Sequence, residues 1–568
     1  MSRRPLANLL SATITDVPAS ALPTAGADRS APGTSDGGFS ARRFYGGLAI
    51  VALIIGALSL LIPSTPSYDP WSWIVWGREI VHINLQTTGG PTWKPLPVIF
   101  TTVFALFGKA EPDLWLVVAR AGALAAVVMV FRLSFRLTRQ IGSYFTPAPA
   151  QDPGRLVRLA PALLAGLIAA VGLALSGGFI SDNAMGYSEG LATAMILIAT
   201  ERHLDGRPRQ AFAVGFLAAL DRPEIWLFWG PYGLWLFWRD PGARKLVIGL
   251  FILIPILWFL PEYWGSGAFL RGVSRAQHPR ANSNAHAKCP FCAELVKSAW
   301  PTILLRIKAA AAVLVIVVGT LSWRRWRRGR SAALSLTTQS HAQVAAAGAG
   351  LVGLSWFVVV AVMTQIGFSG NNRYLVIGSA LVEICGAVAW GWGAQEIANL
   401  IRSGLARGRA TANGTPARAS GWAGTVIAAV AFALVPGWIG PNLINIPKTH
   451  GSLVYQAHLR EGAGDVVASY GGPAKLLRCG TVMTEGFQVP LVAWTRGVHT
   501  LEILSPPPAG APPGQATGED PGPAPNVILQ TRASRNLKRL PIVHSWPTVH
   551  YVYAGHNGPF RLFTHCHG

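Results

Sequence analysis

Charged residues are scarce in this sequence. They make up 13% of its 568 residues, whereas soluble domains carry roughly 25%. Hydrophobic residues make up 51%, and long apolar runs lie at 48–63, 309–321 and 345–363. This composition argues against a soluble protein and predicts an α-helical polytopic protein that lies in the lipid bilayer.

Acidic residues are especially few, with 25 Asp and Glu against 48 Lys and Arg, so the net charge is +23. Such a charge is also typical of proteins that bind nucleic acids. Here, however, the basic residues cluster in short loops between apolar segments, which is the positive-inside pattern of membrane proteins. We therefore expect no nucleic-acid partner.

Three further features are absent from the chain. It has no glycine-rich loop that would bind the phosphates of a nucleotide. This absence is consistent with a reaction outside the cell. It has no strong internal repeat of the kind that transporters often show. No small-residue cleavage site follows the first apolar segment, so we interpret that segment as a membrane anchor rather than a signal peptide. Residues 1–43 are rich in Ser, Ala, Pro, Thr and Gly, and we predict that they are disordered and cytoplasmic.

We predict about eleven crossings of a bacterial inner membrane within a core of residues 44–440. This threading places most Arg-rich stretches inside, whereas a twelfth crossing at 97–107 would put Arg132–Arg139 and Arg324–Arg330 outside. Two amphipathic stretches of the first outer loop, 71–83 and 97–107, are predicted to lie at the interface, with Trp71, Trp73 and Trp76 as aromatic anchors. The crossings are about 45–63, 114–135, 157–177, 187–201, 209–221, 223–238, 246–261, 302–322, 344–366, 375–395 and 421–440.

The composition changes after residue 441, and residues 441–568 are predicted to form a small α/β domain outside the cell. A helix is expected at 451–469. Strands are expected at 475–477, 489–494, 527–530, 549–553 and 561–564, with a Pro/Gly-rich loop at 505–525.

The five cysteines agree with an outer location for this domain. A disulfide between Cys479 and Cys566 is the expected state in an oxidising compartment. Cys289 and Cys292 are predicted to form a local disulfide, because a redox site would need a thioredoxin-like context that is absent. A zinc site there would need His ligands at a spacing that matches no standard pattern.

Five charged residues lie at the outer ends of the apolar segments: Asp69, Lys94, Glu189, Arg222 and Arg373. Charge at a membrane boundary is costly to desolvate and usually marks function. A carboxylate can remove a proton, and cations can stabilise a departing phosphate. This set therefore fits transfer from a phosphate leaving group.

Residues 68–139 resemble the integral membrane glycosyltransferases of the C structural class, in the branch of the aminoarabinose transferases and protein mannosyltransferases. The layout also resembles that of actinobacterial arabinosyl- and mannosyltransferases. The chain departs from the family pattern in having Lys-Pro-Leu-Pro instead of Lys-Pro-Pro-Leu and a single Asp in the first loop. The matching pieces are Asp69, the helix from Trp71, Trp93-Lys94-Pro95-Leu96, Phe107-Gly108 and Arg120, and more weakly Glu189, Leu220-Asp221-Arg222-Pro223-Glu224 and Arg373-Tyr374.

The resemblance implies a glycosyltransferase that takes its sugar from a polyprenyl phosphate and transfers it, with inversion, to an extracytoplasmic acceptor. It implies Asp69 as the catalytic base and Lys94, Arg222 and Arg373 as ligands of the donor phosphate. Asp182 or Glu189 would orient the acceptor or a metal, so a divalent cation is possible but no cofactor is certain. Trp93, Tyr263, Trp264 and Tyr374 would contact sugar.

Each assignment has a structural alternative. Asp69 also suits a helix N-terminus, Lys94 could extend to the interface from an apolar position, and Arg222 could pair with Asp221 or Glu224. Arg373 could be a solvated loop residue, and Tyr263 and Trp264 could belong to an aromatic belt. For the whole chain the alternatives are a transporter or flippase of a lipid-linked anion, and a non-catalytic scaffold of the cell envelope.

Overall fold

The fold was analysed in a computed structural model of the full chain. The structure describes residues 41–146, 154–279, 283–328, 337–409, 422–434, 445–505, 524–531, 546 and 548–566. Residues 1–40 of the predicted N-terminal tail and most of the loop at 505–525 therefore lie outside the described residues. Residues 41–43, which we had included in that tail, form the start of the first helix.

Most described residues are helical, as the apolar composition predicts. Short 3₁₀ and π turns connect several of the helices. In chain order the helices are α1 (Ala41–Leu58), α2 (Tyr68–Val81), α3 (Pro95–Phe104), α4 (Glu111–Ile141), α5 (Arg155–Leu175), α6 (Phe179–Ala184), α7 (Glu189–Leu204), α8 (Pro208–Ala219), α9 (Trp226–Arg239), α10 (Arg244–Ser266), α11 (Arg271–Ala276), α12 (Pro290–Ala293), α13 (Trp300–Thr302), α14 (Leu305–Arg328), α15 (Thr338–Gln365), α16 (Val376–Arg409), α17 (Ala423–Leu434), α18 (Ile446–Ser469), α19 (Pro473–Cys479) and α20 (Val489–Arg496).

Seven helical stretches among the described residues are long and apolar enough to cross a membrane. This confirms the predicted class of a polytopic α-helical membrane protein. The stretches are Ala41–Leu61, Pro95–Ile141, Arg155–Leu175, Pro241–Ser266, Leu305–Arg327, Thr338–Gln365 and Asn372–Ser403.

The remaining four predicted crossings also contain helices, namely α7, α8, α9 and α17. They have 16, 12, 14 and 12 residues, whereas a straight crossing needs about 20. The count of eleven crossings and the orientation of the chain therefore stay predictions.

Small residues allow the long helices to pack closely, as is usual in membranes. Gly391 of α16 lies so near α4 and α5 that a Cβ atom there would be 2.7 Å from Thr138 Cγ2 and 2.8 Å from the Pro161 carbonyl oxygen. Gly166 of α5 packs in the same way on the ring of Phe131. These contacts hold α4, α5 and α16 against one another.

The helix α2, which was predicted to lie at the membrane interface, differs from its prediction. Trp71, Trp73 and Trp76 are buried in the protein, so their assignment as interface anchors is wrong. Trp73 packs edge-to-face on Trp115 of α4, and Trp76 packs on Trp93. A helix that is apolar around most of its circumference is buried by neighbouring elements on several sides.

The C-terminal region contains a five-stranded sheet with α18, α19 and α20 around it. Its strands are β1 (Val482–Thr484), β2 (Ile503–Leu504), β3 (Val527–Thr531), β4 (Val552–Asn557) and β5 (Phe560–Thr564), in the order β2-β1-β3-β5-β4. The strand β1 is parallel to β2 and β3, with Val482 opposite Val527, and β5 is antiparallel to β3 and β4.

Two of the predicted strands are wrong, because residues 475–477 lie in α19 and residues 489–494 lie in α20. The strands expected at 527–530 and 561–564 are present, and the one expected at 549–553 begins later, at Val552.

Both predicted disulfides are present in the structure. The sulfur atoms of Cys479 and Cys566 join the end of α19 to the end of β5, and those of Cys289 and Cys292 close the turn at the start of α12. Cys385 is buried and its thiol is not part of a disulfide. Chain contacts divide the protein after Gly47, so the C-terminal region belongs to the same compact unit as the helices from Leu48 onward.

Candidate functional site

Three of the five predicted charged residues converge on the carboxylate of a fourth. Glu189, the first residue of α7, is buried, and its Oε1 lies 2.7 Å from Arg222 Nη1, 3.7 Å from Lys94 Nζ and 3.8 Å from Arg373 Nε. Asp69 completes the group, because its Oδ2 lies 2.6 Å from Arg373 Nη2. We call Asp69, Lys94, Glu189, Arg222 and Arg373 the Glu189 cluster.

Helix ends bring these residues together. Lys94 immediately precedes Pro95, which starts α3 with a fixed backbone angle and no lost hydrogen bond. The backbone N–H of Leu96 donates to the carbonyl of Leu220 at 3.1 Å, and this ties the start of α3 to the turn that carries Arg222. Arg373 lies in the 3₁₀ turn before α16. The cluster thus lies where several helices begin.

Asp69 occupies the first turn of α2. A carboxylate there interacts favourably with the helix dipole, so the structural role that its sequence position suggested is compatible with its ion pair to Arg373. Both side chains are largely shielded from solvent, with 14% of Asp69 and 13% of Arg373 exposed. Asp69 therefore faces the interior of the cluster and is more than a surface helix terminus.

Aromatic rings cover the cations. The guanidinium carbon of Arg222 lies 4.1 Å from the centre of the Tyr374 ring, and that of Arg373 lies 4.0 Å from the centre of the Tyr187 ring. Such stacking fixes the plane of a guanidinium group and leaves its edge for hydrogen bonds. Tyr374 was predicted to contact sugar; in the structure its ring lies against Arg222, and the sugar contact stays a prediction.

Asp182, on the short helix α6, lies beside the cluster. Burial raises the pKa of its carboxyl to about 7; the Arg373 charge opposes this shift, and the Glu189 charge adds to it. Asp182 is therefore close to half protonated near neutral pH. Glu189, by contrast, is surrounded by three cations, which makes it a residue that holds the cations in place and a poor candidate for a base.

Sequence reasoning missed Tyr187 as a member of this neighbourhood, and it named Asp221 and Glu224 only as possible ion-pair partners of Arg222. Glu224 Oε1 lies 3.1 Å from Arg222 Nη2, and Asp221 Oδ1 lies 3.9 Å from Lys94 Nζ. The ion pair weighed for Arg222 thus exists, but with Glu189 and Glu224 together. The signal for all three was their position within two residues of Glu189 or Arg222.

The cluster has unused hydrogen-bonding capacity. Arg373 Nη1, Arg222 Nε and Glu189 Oε2 are buried, and none has a hydrogen-bond partner among the described residues. A buried donor without a partner costs roughly 1–3 kcal/mol, and unpaired donors of two arginines in one place are what an anionic ligand would satisfy.

Three of the four aromatic residues that were predicted to contact sugar lie outside the contacts described for the Glu189 cluster. The Trp93 indole donates to the Leu257 carbonyl at 3.0 Å and packs on Trp76, so it supports the fold next to Lys94. Tyr263 stacks on Phe269 at 4.3 Å, and Tyr263 and Trp264 are about half exposed on α10. The position of these last two agrees better with the alternative of an aromatic belt.

Arg120 also proves to be structural. Its guanidinium donates to Ser59 and Ser64 and to the Ala184 carbonyl, with the last contact at 2.7 Å. It thereby anchors the segment after α1 to the end of α6. In the part of the chain that the structure describes, no three His, Cys, Asp or Glu side chains are grouped as a metal site would need.

No protein-family model and no curated protein matches the chain. Among solved structures, it is similar to ArnT from Cupriavidus metallidurans in the apo state, with a TM-score of 0.48. It is also similar to ArnT bound to undecaprenyl phosphate, with a TM-score of 0.45. In both comparisons the identity is 12%, and the match covers 92% of this chain and 98% of the other. ArnT belongs to the branch that the sequence resemblance named. Because the identity and the TM-scores are low, this likeness assigns no activity to the chain.

Proposed function

We propose that the chain is a membrane glycosyltransferase that moves a sugar from a polyprenyl phosphate to the hydroxyl group of an extracytoplasmic acceptor. The observation that carries this proposal is the Glu189 cluster: three cations, two of which have unpaired buried donors among the described residues, meet beside one carboxylate, Asp69. A phosphate group would supply the acceptors that Arg373 Nη1 and Arg222 Nε lack.

The position of the cluster supports a lipid-linked donor. Lys94 immediately precedes the candidate span Pro95–Ile141, and Arg373 is the second residue of the candidate span Asn372–Ser403. Cations at the ends of spans lie at the depth of lipid headgroups. The phosphate of a polyprenyl lipid would reach this depth while its tail stays in the hydrocarbon region.

The cluster supplies the groups that a single displacement needs. Asp69 would accept the proton of the acceptor hydroxyl as its oxygen attacks the anomeric carbon. The bond from that carbon to the phosphate oxygen would break on the opposite side, so the configuration inverts. Lys94, Arg222 and Arg373 would stabilise the negative charge that develops on the departing polyprenyl phosphate.

Arg373 would have two tasks in this reaction. Its Nη2 holds Asp69, whereas its Nη1 is unpaired in the described structure. A phosphate bound at Nη1 would draw the positive charge toward itself and leave the Asp69 carboxylate less neutralised. Binding of the donor would then make Asp69 a better base for the acceptor.

The test is transfer by the purified full chain in lipid nanodiscs. Polyprenyl phosphates that carry different pentoses and hexoses are offered together with a mixture of cell-envelope acceptors, and the products are identified by mass spectrometry. We expect transfer from one class of donor in the wild type and a rate about 10²–10⁴-fold lower in Asp69→Asn. Movement of the intact lipid-linked sugar across the bilayer of proteoliposomes, without transfer, would contradict the proposal and favour a flippase.

A further inference from the structure

The turn that carries Arg373 packs against a second, distant segment of the chain. This 3₁₀ turn, Asn372–Leu375, leads into α16, and the N–H of Tyr374 closes it by donating to the Asn371 carbonyl at 2.9 Å. The segment Glu294–Ala299 packs against the turn. That segment is a single π-helical turn, a feature that is rare and is often found at functional sites.

Glu294, the first residue of the π turn, is buried against the backbone that leads to Arg373. None of its surface is exposed. Gly370 lies three residues before Arg373, and it is so close to Glu294 that a Cβ atom at position 370 would be 2.8 Å from Glu294 Cδ and would overlap Oε2. The backbone at Gly370 therefore packs directly on the carboxyl group.

A small polar network holds this carboxyl group in place. Asn284 Nδ2 donates to Glu294 Oε2 at 2.7 Å and to Ser298 Oγ at 2.8 Å. Burial raises the pKa of Glu294, and hydrogen bonds from Asn284 and Ser298 oppose this shift; no charged group among the described residues contributes to it. The contact with Gly370 therefore depends on the shape and the hydrogen bond of the side chain, and a glutamine could supply both.

A second contact ties the same region to the end of α15. The N–H of Phe291 donates to the side-chain oxygen of Gln365 at 3.1 Å, and the disulfide of Cys289 and Cys292 closes the turn around Phe291. The connection from α15 to α16 is thus held at two points before it reaches Arg373.

The position of Arg373 is critical because one guanidinium group has several tasks. Its Nη2 lies 2.6 Å from Asp69 Oδ2, its Nε lies 3.8 Å from Glu189 Oε1, and its Nη1 has no partner among the described residues. Groups that bind or react must be held within about 0.5 Å of their productive geometry by the residues around them. A shift of the turn would disturb all of these contacts together.

We infer that Glu294 is a positioning residue that acts through Arg373: by its shape and its hydrogen bond to Asn284, the buried side chain supports the backbone at Gly370 and so sets where the guanidinium meets Asp69 and the donor phosphate. The part that concerns the donor rests on the proposed function. The support of the turn concerns the protein alone and can be tested without a ligand.

The experiment has two readouts on the full chain in lipid nanodiscs. Hydrogen–deuterium exchange reports the backbone protection of residues 367–375 in the absence of added lipid ligand. Native mass spectrometry reports how much more tightly undecaprenyl phosphate binds than undecaprenol. Glu294→Ala is compared with Glu294→Gln, which keeps the shape and the acceptor for Asn284. Glu111→Ala is the matched control, because Glu111 is also buried and its Oε1 also has no partner among the described residues.

We expect Glu294→Ala to speed up exchange in residues 367–375. It should also lower the preference for the phosphate about fivefold, which is typical of a substitution that acts through a neighbouring residue. Glu294→Gln and Glu111→Ala should match the wild type in both readouts. Adding Glu294→Ala to Arg373→Ala should lower the preference no further, because the effect passes through Arg373.

Asn284→Ala removes the hydrogen bond and keeps the carboxyl group, so it should give smaller changes in the same direction. It decides the question if Glu294→Ala does not fold. The inference is overturned by unchanged exchange in both variants, by Glu294→Gln behaving like Glu294→Ala, by an equal effect of Glu111→Ala, or by a further loss of preference in the Arg373→Ala background. Equal binding of the two lipids by the wild type would instead contradict the proposed function, and the exchange readout would still test the support of the turn.

Discussion

The two ends of helix α7 both carry carboxylates surrounded by arginines, yet the two groups differ in kind. At one end lies the Glu189 cluster. At the other end Glu201 accepts two hydrogen bonds from Arg132 Nε, at 2.8 and 3.0 Å, and Asp205 pairs with Arg136 at 2.6 Å and with Arg202. We call Arg132, Arg136, Glu201, Arg202 and Asp205 the Glu201 cluster.

The Glu201 cluster is partly solvated, and its central carboxylate is fully hydrogen-bonded. Both oxygens of Glu201 are hydrogen-bonded, and Arg132 and Arg136 are 36% and 24% exposed. The cations of the Glu189 cluster are 3–13% exposed, they stack on aromatic rings, and two of them have buried donors without a partner among the described residues. The comparison teaches that ion pairs alone do not identify a site. The two clusters differ in the solvation of their cations and in whether the central carboxylate is fully hydrogen-bonded.

The largest expected effect belongs to Asp69→Asn. Asparagine keeps the size of the side chain but cannot accept a proton at neutral pH, and loss of a general base typically lowers a rate about 10²–10⁴-fold. Binding of undecaprenyl phosphate should persist, because the substitution releases Arg373 from an ion pair. Transfer kinetics and lipid binding are measured on the same preparation.

Glu201→Gln is the control for this comparison, since it removes a carboxylate from the other end of α7. It should leave transfer within about threefold of the wild type once folding is verified. Wild-type turnover by Asp69→Asn would show that Asp69 is only a helix-terminal residue, and the base would then have to be sought at Asp182.

Lys94→Ala and Arg222→Ala should have the next largest effect. Each removes a charge-assisted hydrogen bond to the donor phosphate, worth roughly 1.5–3 kcal/mol, so affinity for undecaprenyl phosphate should fall about tenfold to a hundredfold. Arg136→Ala takes a cation from the Glu201 cluster and should leave that affinity unchanged. An equal loss of affinity for undecaprenyl phosphate in all three variants would mean that the two clusters do not differ in function.

The protein's own contribution to the pH dependence of lipid binding should come from Asp182. Burial raises the pKa of its carboxyl to about 7, so the group is neutral below that pH and gains a negative charge beside the Glu189 cluster above it. Affinity for an anion should therefore weaken as pH rises through 7, by about tenfold. Asp182→Asn should remove this step and leave the binding at pH 9 tighter than in the wild type.

Undecaprenyl phosphate itself takes up a proton in this pH range. The quantity to compare is therefore the ratio of wild-type to Asp182→Asn affinity at each pH, in which the titration of the lipid cancels. A ratio that stays constant from pH 5 to pH 9 would show that ionisation of Asp182 does not affect lipid binding.

The smallest expected effect concerns Tyr187, whose ring stacks on Arg373. Tyr187→Leu should weaken lipid binding about fivefold, which is within the range of cation–π contacts. Tyr187→Phe keeps the ring and loses only the hydroxyl contact to Ser67, so it should bind like the wild type. If both variants bind alike, the ring does not position Arg373.

The membrane class and most helices could be predicted from the sequence. The apolar character of each segment and the Arg residues beside it are visible in the local sequence. The five charged residues of the Glu189 cluster could be identified singly, since each ends an apolar segment. Their pairing could not be predicted, because it depends on contacts such as Asp69 with Arg373, which are 304 residues apart. For the same reason the role of Glu189 changed from an auxiliary acid to the centre of the cations.

The errors have equally specific causes. Residues 489–494 form a short apolar run that fits a strand or a buried helix, and Pro490 at the start of α20 was the signal for a helix that we did not use. Tryptophan is enriched at membrane interfaces, which is why we assigned Trp71, Trp73 and Trp76 to one. The packing of α2 against Trp115, Trp93 and Trp494 buries them instead.

The most direct test of the Glu189 cluster as a lipid-phosphate site compares two lipids that differ only in the phosphate. The full chain in nanodiscs is titrated with undecaprenyl phosphate and with undecaprenol, and bound lipid is quantified by native mass spectrometry for the wild type, Lys94→Ala and Arg136→Ala. We predict that the wild type and Arg136→Ala bind the phosphate at least tenfold more tightly than the alcohol, and that Lys94→Ala loses most of this preference. Equal binding of the two lipids by the wild type, or an unchanged preference in Lys94→Ala, would contradict the assignment of the cluster.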